Sequence, residues 1–152
     1  MNLRRRLFTI AAAAALLTNG ASYAQEAIKI GVSGPYTGGS SSMGVSMRDG
    51  VRLAVKEINA AGGVAGKKIE IIERDDEAKN ERGVQIAQEL INKEKVVATV
   101  GFINTGVALA SQRFYQEAKI PVMNNVATGT IITKQFTEIG RASCRERVSS
   151  PV

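Results

Sequence analysis

Apolar positions along residues 28–123 recur with two alternating periods, which predict strands and helices in turn. Residues 28–32 (IKIGV) form a short β-rich run that enters a Gly/Ser-rich loop at 34–44. Met47, Val51, Ala54, Val55 and Ile58 then repeat at helical spacing, and Gly62-Gly63 ends that helix. Ile69, Ile71 and Ile72 mark a second strand over 68–74, and Val84, Ala87, Leu90 and Ile91 a second helix. A third strand is predicted at 96–100, with a third helix on Val107, Ala110, Phe114 and Ala118. A short fourth strand follows at 120–123, with Met123 in the strand core. Phe114 and Tyr115 are expected at core and boundary positions. Strands and helices alternating at this spacing predict an α/β fold with a parallel sheet and helices on both faces.

Both ends depart from this pattern. Residues 1–24 hold Arg4, Arg5 and Arg6, an apolar stretch over 7–17, and small residues at Ser22 and Ala24. That order predicts a secretory signal peptide cleaved before Gln25, because the apolar run is too short to span a bilayer. From Ile139 the chain reads IGRASCRERVSSPV, with three Arg in an aperiodic tail. One reading is a basic, disordered tail. The other is a non-native tail, because IGRASCRERV resembles the translation of a common short-read sequencing adapter. The expected organisation is a signal peptide (1–24), a folded body (25–138) and a non-native tail (139–152).

Charge changes meaning once it is placed. The full chain of 152 residues has 20 Lys+Arg against 14 Asp+Glu, a net +6. Removing the six Arg and one Glu of the two ends leaves 14 bases against 13 acids in 25–138. This nearly neutral body has no Trp and no basic-aromatic patch, so it gives no support to a nucleic-acid partner. His is absent and Cys144 is the one cysteine, which excludes His-based acid/base chemistry, His/Cys zinc sites and an intrachain disulfide.

In an open α/β sheet, ligands sit beyond the carboxyl ends of the strands. The loops there read GPYTGGSSSMG (34–44), GFINTG (101–106) and NNVATGT (124–130). All three are rich in Gly, hydroxyl and amide groups and carry no acid or base. They suit a small polar ligand, whose carboxylate would meet helix N-terminal amides and hydroxyls, and they offer no general base. They also suit ordinary turns and caps; their convergence on one sheet edge favours a site. Ser40 stands where a phosphate loop requires Lys, and Gly31 and Gly34 lack the third glycine of a dinucleotide fingerprint. Asp75, Asp76 and Glu77 could bind a cation, but an acidic helix N-terminus is the preferred reading.

The segments AIKIGVSGPYTGG, MRDGVRLAVKEINAAGGVAGKKIEIIERDDEAKNERGVQIAQELI, ATVGF and AKIPVMNNVAT resemble the first lobe of periplasmic substrate-binding proteins. The branch they resemble is the leucine/isoleucine/valine-binding type, which serves ABC importers of branched-chain amino acids and related carboxylates. The resemblance implies a parallel doubly wound sheet, the first lobe of a two-lobed Venus-flytrap fold that closes by a hinge, here truncated. It implies that Thr105, flanked by Ile103 and Asn104, presents a hydroxyl and a backbone N–H to a ligand carboxylate. It implies that the loop of Val126, Ala127 and Thr128 supplies a carbonyl and a hydroxyl to an ammonium. Met43 falls where the family often has an aromatic or apolar wall. The second lobe, with its acid for the ammonium, is missing from this sequence, so residues 25–138 alone are expected to bind no amino acid measurably. The implied protein is periplasmic, monomeric and not an enzyme, with no cofactor or metal and an inner-membrane ABC permease as partner. A ligand-sensing ectodomain of the same fold and a secreted α/β enzyme fragment are the alternatives.

Overall fold

The computed structural model describes residues 26–132; the expected signal peptide and the 139–152 tail lie outside the described residues. Four strands are connected through three helices: β1 (Ile28–Gly34), α1 (Ser41–Ala60), β2 (Ile69–Asp75), α2 (Asn80–Glu89), β3 (Ala98–Gly101), α3 (Thr105–Glu117) and β4 (Val122–Asn124). The sheet is wholly parallel, in the order β2-β1-β3-β4, as the strand–helix alternation predicts. Its switch in strand order lies between β1 and β3, so the loops after these strands diverge to opposite sides and leave a crevice.

The two-residue period of β1 sorts the helices between the faces. A methyl group added at Gly31 would meet Leu90, and one added at Gly34 would meet the Met47 methyl. The face of Gly31, with Ile72, Thr99 and Val122, is buried under α2 and α3. Ala87, Phe102, Val107, Ala108, Tyr115 and Val122 belong to one core cluster there, with the Phe102 and Tyr115 rings 6.2 Å apart. The two helices approach closely at Gly83, where a methyl group would stand 2.5 Å from Val107 Cγ1.

Among the described residues, α1 is the helix that covers the other face. Only Gly44 of this helix is buried; of the predicted apolar stripe, Met47, Val51 and Val55 are half-buried and Ala54 and Ile58 exposed. Polar side chains hold α1 to the edge strand β2 instead. The Asn59 amide bonds both the N–H and the carbonyl of Ile69, and Arg52 forks onto the Glu73 carboxylate with two bonds of 2.6 Å.

Element boundaries differ from expectation for local reasons. α1 starts six residues before Met47, taking in the Ser/Met end of the predicted loop. The second helix continues as a π-helical turn over Leu90–Glu94, ended by Lys95 in the left-handed region. β3 begins at Ala98 because Val96 N–H bonds back to the Leu90 carbonyl. β4 begins at Val122 because Pro121 has no N–H and Ile120 N–H bonds back to Tyr115. Tyr115 is fully buried and Phe114 partly so. Met123, expected in the strand core, is 50% exposed: it lies on the edge strand β4, on the α1 side of the sheet but with two strands between it and β2, to which α1 is tied. Among the described residues, no helix is long and apolar enough to cross a membrane.

Candidate functional site

The loop after β1 is fixed by residues of the β2 end. Asp75 Oδ1 accepts hydrogen bonds from Tyr36 N–H (2.8 Å) and Glu77 N–H (2.9 Å), and Oδ2 accepts from the Thr37 hydroxyl (2.7 Å). Tyr36 in turn donates its hydroxyl to the Val32 carbonyl. α1 then runs close to the strand end, because Gly44 lies so near the Pro35 carbonyl that any side chain would overlap it.

The loop after β3 goes inward before it turns out. Phe102 and Ile103 are buried, and the Gly101–Phe102 peptide is cis. Asn104 adopts an extended conformation at the N-cap of α3, and its side chain makes no capping bond. Ala108 N–H bonds to the Asn104 carbonyl, so the preceding amides of the first turn lie before the intrahelical ladder begins. They leave a donor-rich, electropositive helix end beside Thr105.

The loop after β4 is hydrogen-bonded to the loop after β3. Asn125 N–H bonds to the Gly101 carbonyl at 2.9 Å, and Val126 and Ala127 N–H both bond to the Phe102 carbonyl. The Asn124 amide closes the loop by donating to the Ala127 carbonyl. Gly129 lies against Thr105, for a methyl group there would stand 2.5 Å from Thr105 Cγ2.

A depression of about 500 Å³ opens between α1 and this loop, lined by Ser42, Met43, Ser46, Met47, Asn125 and Val126. Met43 and Val126, chosen from sequence, meet here and are both exposed. Thr105 is half-buried and Thr128 exposed, with Thr105 against Gly129, the residue after Thr128. Ile103 and Ala127 bury their side chains in the core, and the Ala127 N–H and carbonyl are already bonded to the Phe102 carbonyl and the Asn124 amide. Asn104 Oδ1 is buried without a hydrogen-bond partner.

Sequence reasoning missed Ser42, Ser46, Met47 and Asn125 as lining residues. The pairs Ser42/Ser46 and Met43/Met47 have i,i+4 spacing, which puts them together only if the helix begins at Ser41.

Both readings of Asp75-Asp76-Glu77 are corrected. Asp75 ends β2, and α2 starts only at Asn80, so these acids do not occupy its first turn. Among the described residues, no group of three or more His, Cys, Asp or Glu could hold a metal ion, and donors from the protein already occupy the oxygens of Asp75. Burial works to raise the Asp75 carboxyl, but the bonds from Thr37, Glu77 and Tyr36 outweigh it and hold it below the usual carboxylate range. Asp76 is 1% exposed, with only Ala78 N–H (2.9 Å) and a long Ser33 bond (3.4 Å), and burial pushes it above that range.

The fold is thus a parallel α/β lobe whose polar loops after β3 and β4 meet at the strand ends. The periplasmic binding protein family model matches residues 27–144, and the chain belongs to this family. An amino acid binding protein of Pseudomonas aeruginosa is 32% identical over 71% of the chain, covering 29% of that protein. LivJ from Streptococcus pneumoniae, a branched-chain amino acid transporter substrate binding protein solved with isoleucine, superposes with TM-score 0.74 and 30% identity over 78% of this chain and 34% of that one. A solute binding protein of an ABC transporter from Rhodopseudomonas palustris, solved with 3,4-dihydroxybenzoic acid, gives TM-score 0.71 and 38% identity over 77% of this chain and 32% of that one. The chain spans about a third of the length of these relatives.

Proposed function

We propose that this chain provides the first lobe of an extracytoplasmic solute-binding protein that captures an amino acid of the branched-chain type, or a related small carboxylate, for an ABC importer. The observation that carries this reading is the start of α3: its first-turn amides have no side-chain cap, and they lie beside Thr105, which touches Gly129 of the neighbouring loop. A carboxylate there would gain the helix N-terminal donors and the Thr105 hydroxyl. Thr128 and the Val126 carbonyl would face an ammonium, and the Met43 depression would take the ligand side chain.

The relatives hold isoleucine in one case and 3,4-dihydroxybenzoic acid in another, so the shared chemistry is the carboxylate. A second lobe would complete the pocket, since one lobe leaves a ligand half exposed. In this reading the protein is a periplasmic monomer exported by the 1–24 signal peptide, delivers ligand to an inner-membrane permease, and performs no catalysis. The test is a thermal-shift panel of leucine, isoleucine, valine and hydroxybenzoates on a full-length protein carrying this lobe. A rise in Tm with at least one of them is expected. No rise with any of them at millimolar concentration overturns the reading.

A further inference from the structure

The wall that carries Met43 belongs to a helix the core scarcely holds. α1 buries one residue, and its attachments to β2 are polar and spread along its length: Asn59 on Ile69, Arg52 on Glu73, and Asp75 on the turn that feeds the helix. Only the last lies at the ligand end. Asp75 holds Tyr36 by its backbone and Thr37 by its hydroxyl, and four residues later α1 begins, presenting Ser42, Met43, Ser46 and Met47 to the depression. The same carboxylate accepts Glu77 N–H, which anchors it to its own turn, so it joins the β2 end to the loop after β1.

We propose that Asp75 is the positioning residue for the apolar wall of the ligand depression, setting the start of α1 through Tyr36 and Thr37. This deepens the solute-binding reading and rests on it. Its test is made without ligand, so it fails or succeeds separately from the thermal-shift panel.

Two readouts apply to the chain itself: amide hydrogen exchange by NMR and the Met43 methyl resonance. Asp75→Ala is expected to raise exchange over residues 36–47 by about tenfold, leave α2 and α3 amides such as Ala87 and Ser111 unchanged, and shift the Met43 methyl signal. Asp75→Asn keeps an oxygen for Tyr36 and Glu77, and is expected to restore most of the protection and the Met43 signal. A merely structural role predicts equal loss of protection in 36–47 and in α2 and α3, and that result overturns the proposal. Unchanged exchange and an unchanged Met43 signal in Asp75→Ala also overturn it. Should Asp75→Ala not fold, Thr37→Val removes the Oδ2 bond alone; a smaller selective rise over 38–47 is expected, and no rise there overturns the proposal.

Discussion

Asn59 of α1 satisfies both backbone groups of Ile69, donating Nδ2–H to its carbonyl and accepting from its N–H, each at 2.8 Å. Ile69 opens the edge strand β2, so one side chain fixes the far end of α1 against the sheet. Asn59→Ala leaves a partly buried donor and acceptor unmatched. It is expected to cost about 1–3 kcal/mol in urea denaturation of the chain. A loss no larger than that of an exposed substitution such as Glu57→Ala would show that α1 is held elsewhere.

The approach of α2 to α3 at Gly83 leaves no space for a methyl group against Val107. Gly83→Ala is expected to destabilise the chain by about 1–3 kcal/mol through overpacking. Adding Val107→Ala should recover part of that loss, so the double variant is less unstable than the sum of the two singles predicts. Strict additivity in denaturation would contradict the contact.

Asp76 gives a pH dependence whose sign follows from burial. Its folded pKa lies above the unfolded value, so it contributes stability that is fully present below the unfolded pKa and lost as pH rises through the folded one. Asn at this position can accept from Ala78 N–H and donate to Ser33 without a charge. Asp76→Asn is therefore expected to be more stable than wild type at about pH 7.5, with the gain gone at about pH 3.5. Urea midpoints at the two pH values test this, and a loss of stability at the higher pH would sink it.

The role assigned to Thr105 separates hydroxyl from bulk. In a full-length protein carrying this lobe, Thr105→Val is expected to weaken ligand binding about tenfold, whereas Thr105→Ser stays near wild type. Calorimetry reads both. Equal affinities for Val and Ser at this position would remove the hydroxyl from the site.

Neighbouring residues of β4 should respond oppositely. Val122 is buried in the core, and Val122→Ala is expected to cost about 2 kcal/mol. Met123 is half exposed at the sheet edge, so Met123→Lys should change the stability of the chain by less than about 0.5 kcal/mol. Comparable losses in thermal denaturation would mean that the face is covered.

The sequence alone determined the strand–helix order, the parallel sheet and the three loops at its carboxyl edge. Those features follow from period, turn residues and connection length, which are local properties of the chain. It also indicated Met43, Thr105 and Val126, through loop position and family resemblance. Which side chains face outward was decided by tertiary structure. Ile103 and Ala127 turn into the core because the loops after β3 and β4 bond to each other through Gly101 and Phe102, a pairing no local pattern encodes. Ile58 read as part of an apolar helix face and Met123 as strand core, yet both are exposed, because an apolar pattern leaves open what covers it. Asp75 and Asp76 are adjacent in sequence, yet their carboxyl pKa values are shifted in opposite directions. One is surrounded by three donors and the other is buried with a single close one, so the folded environment, and not the residue type, sets the difference.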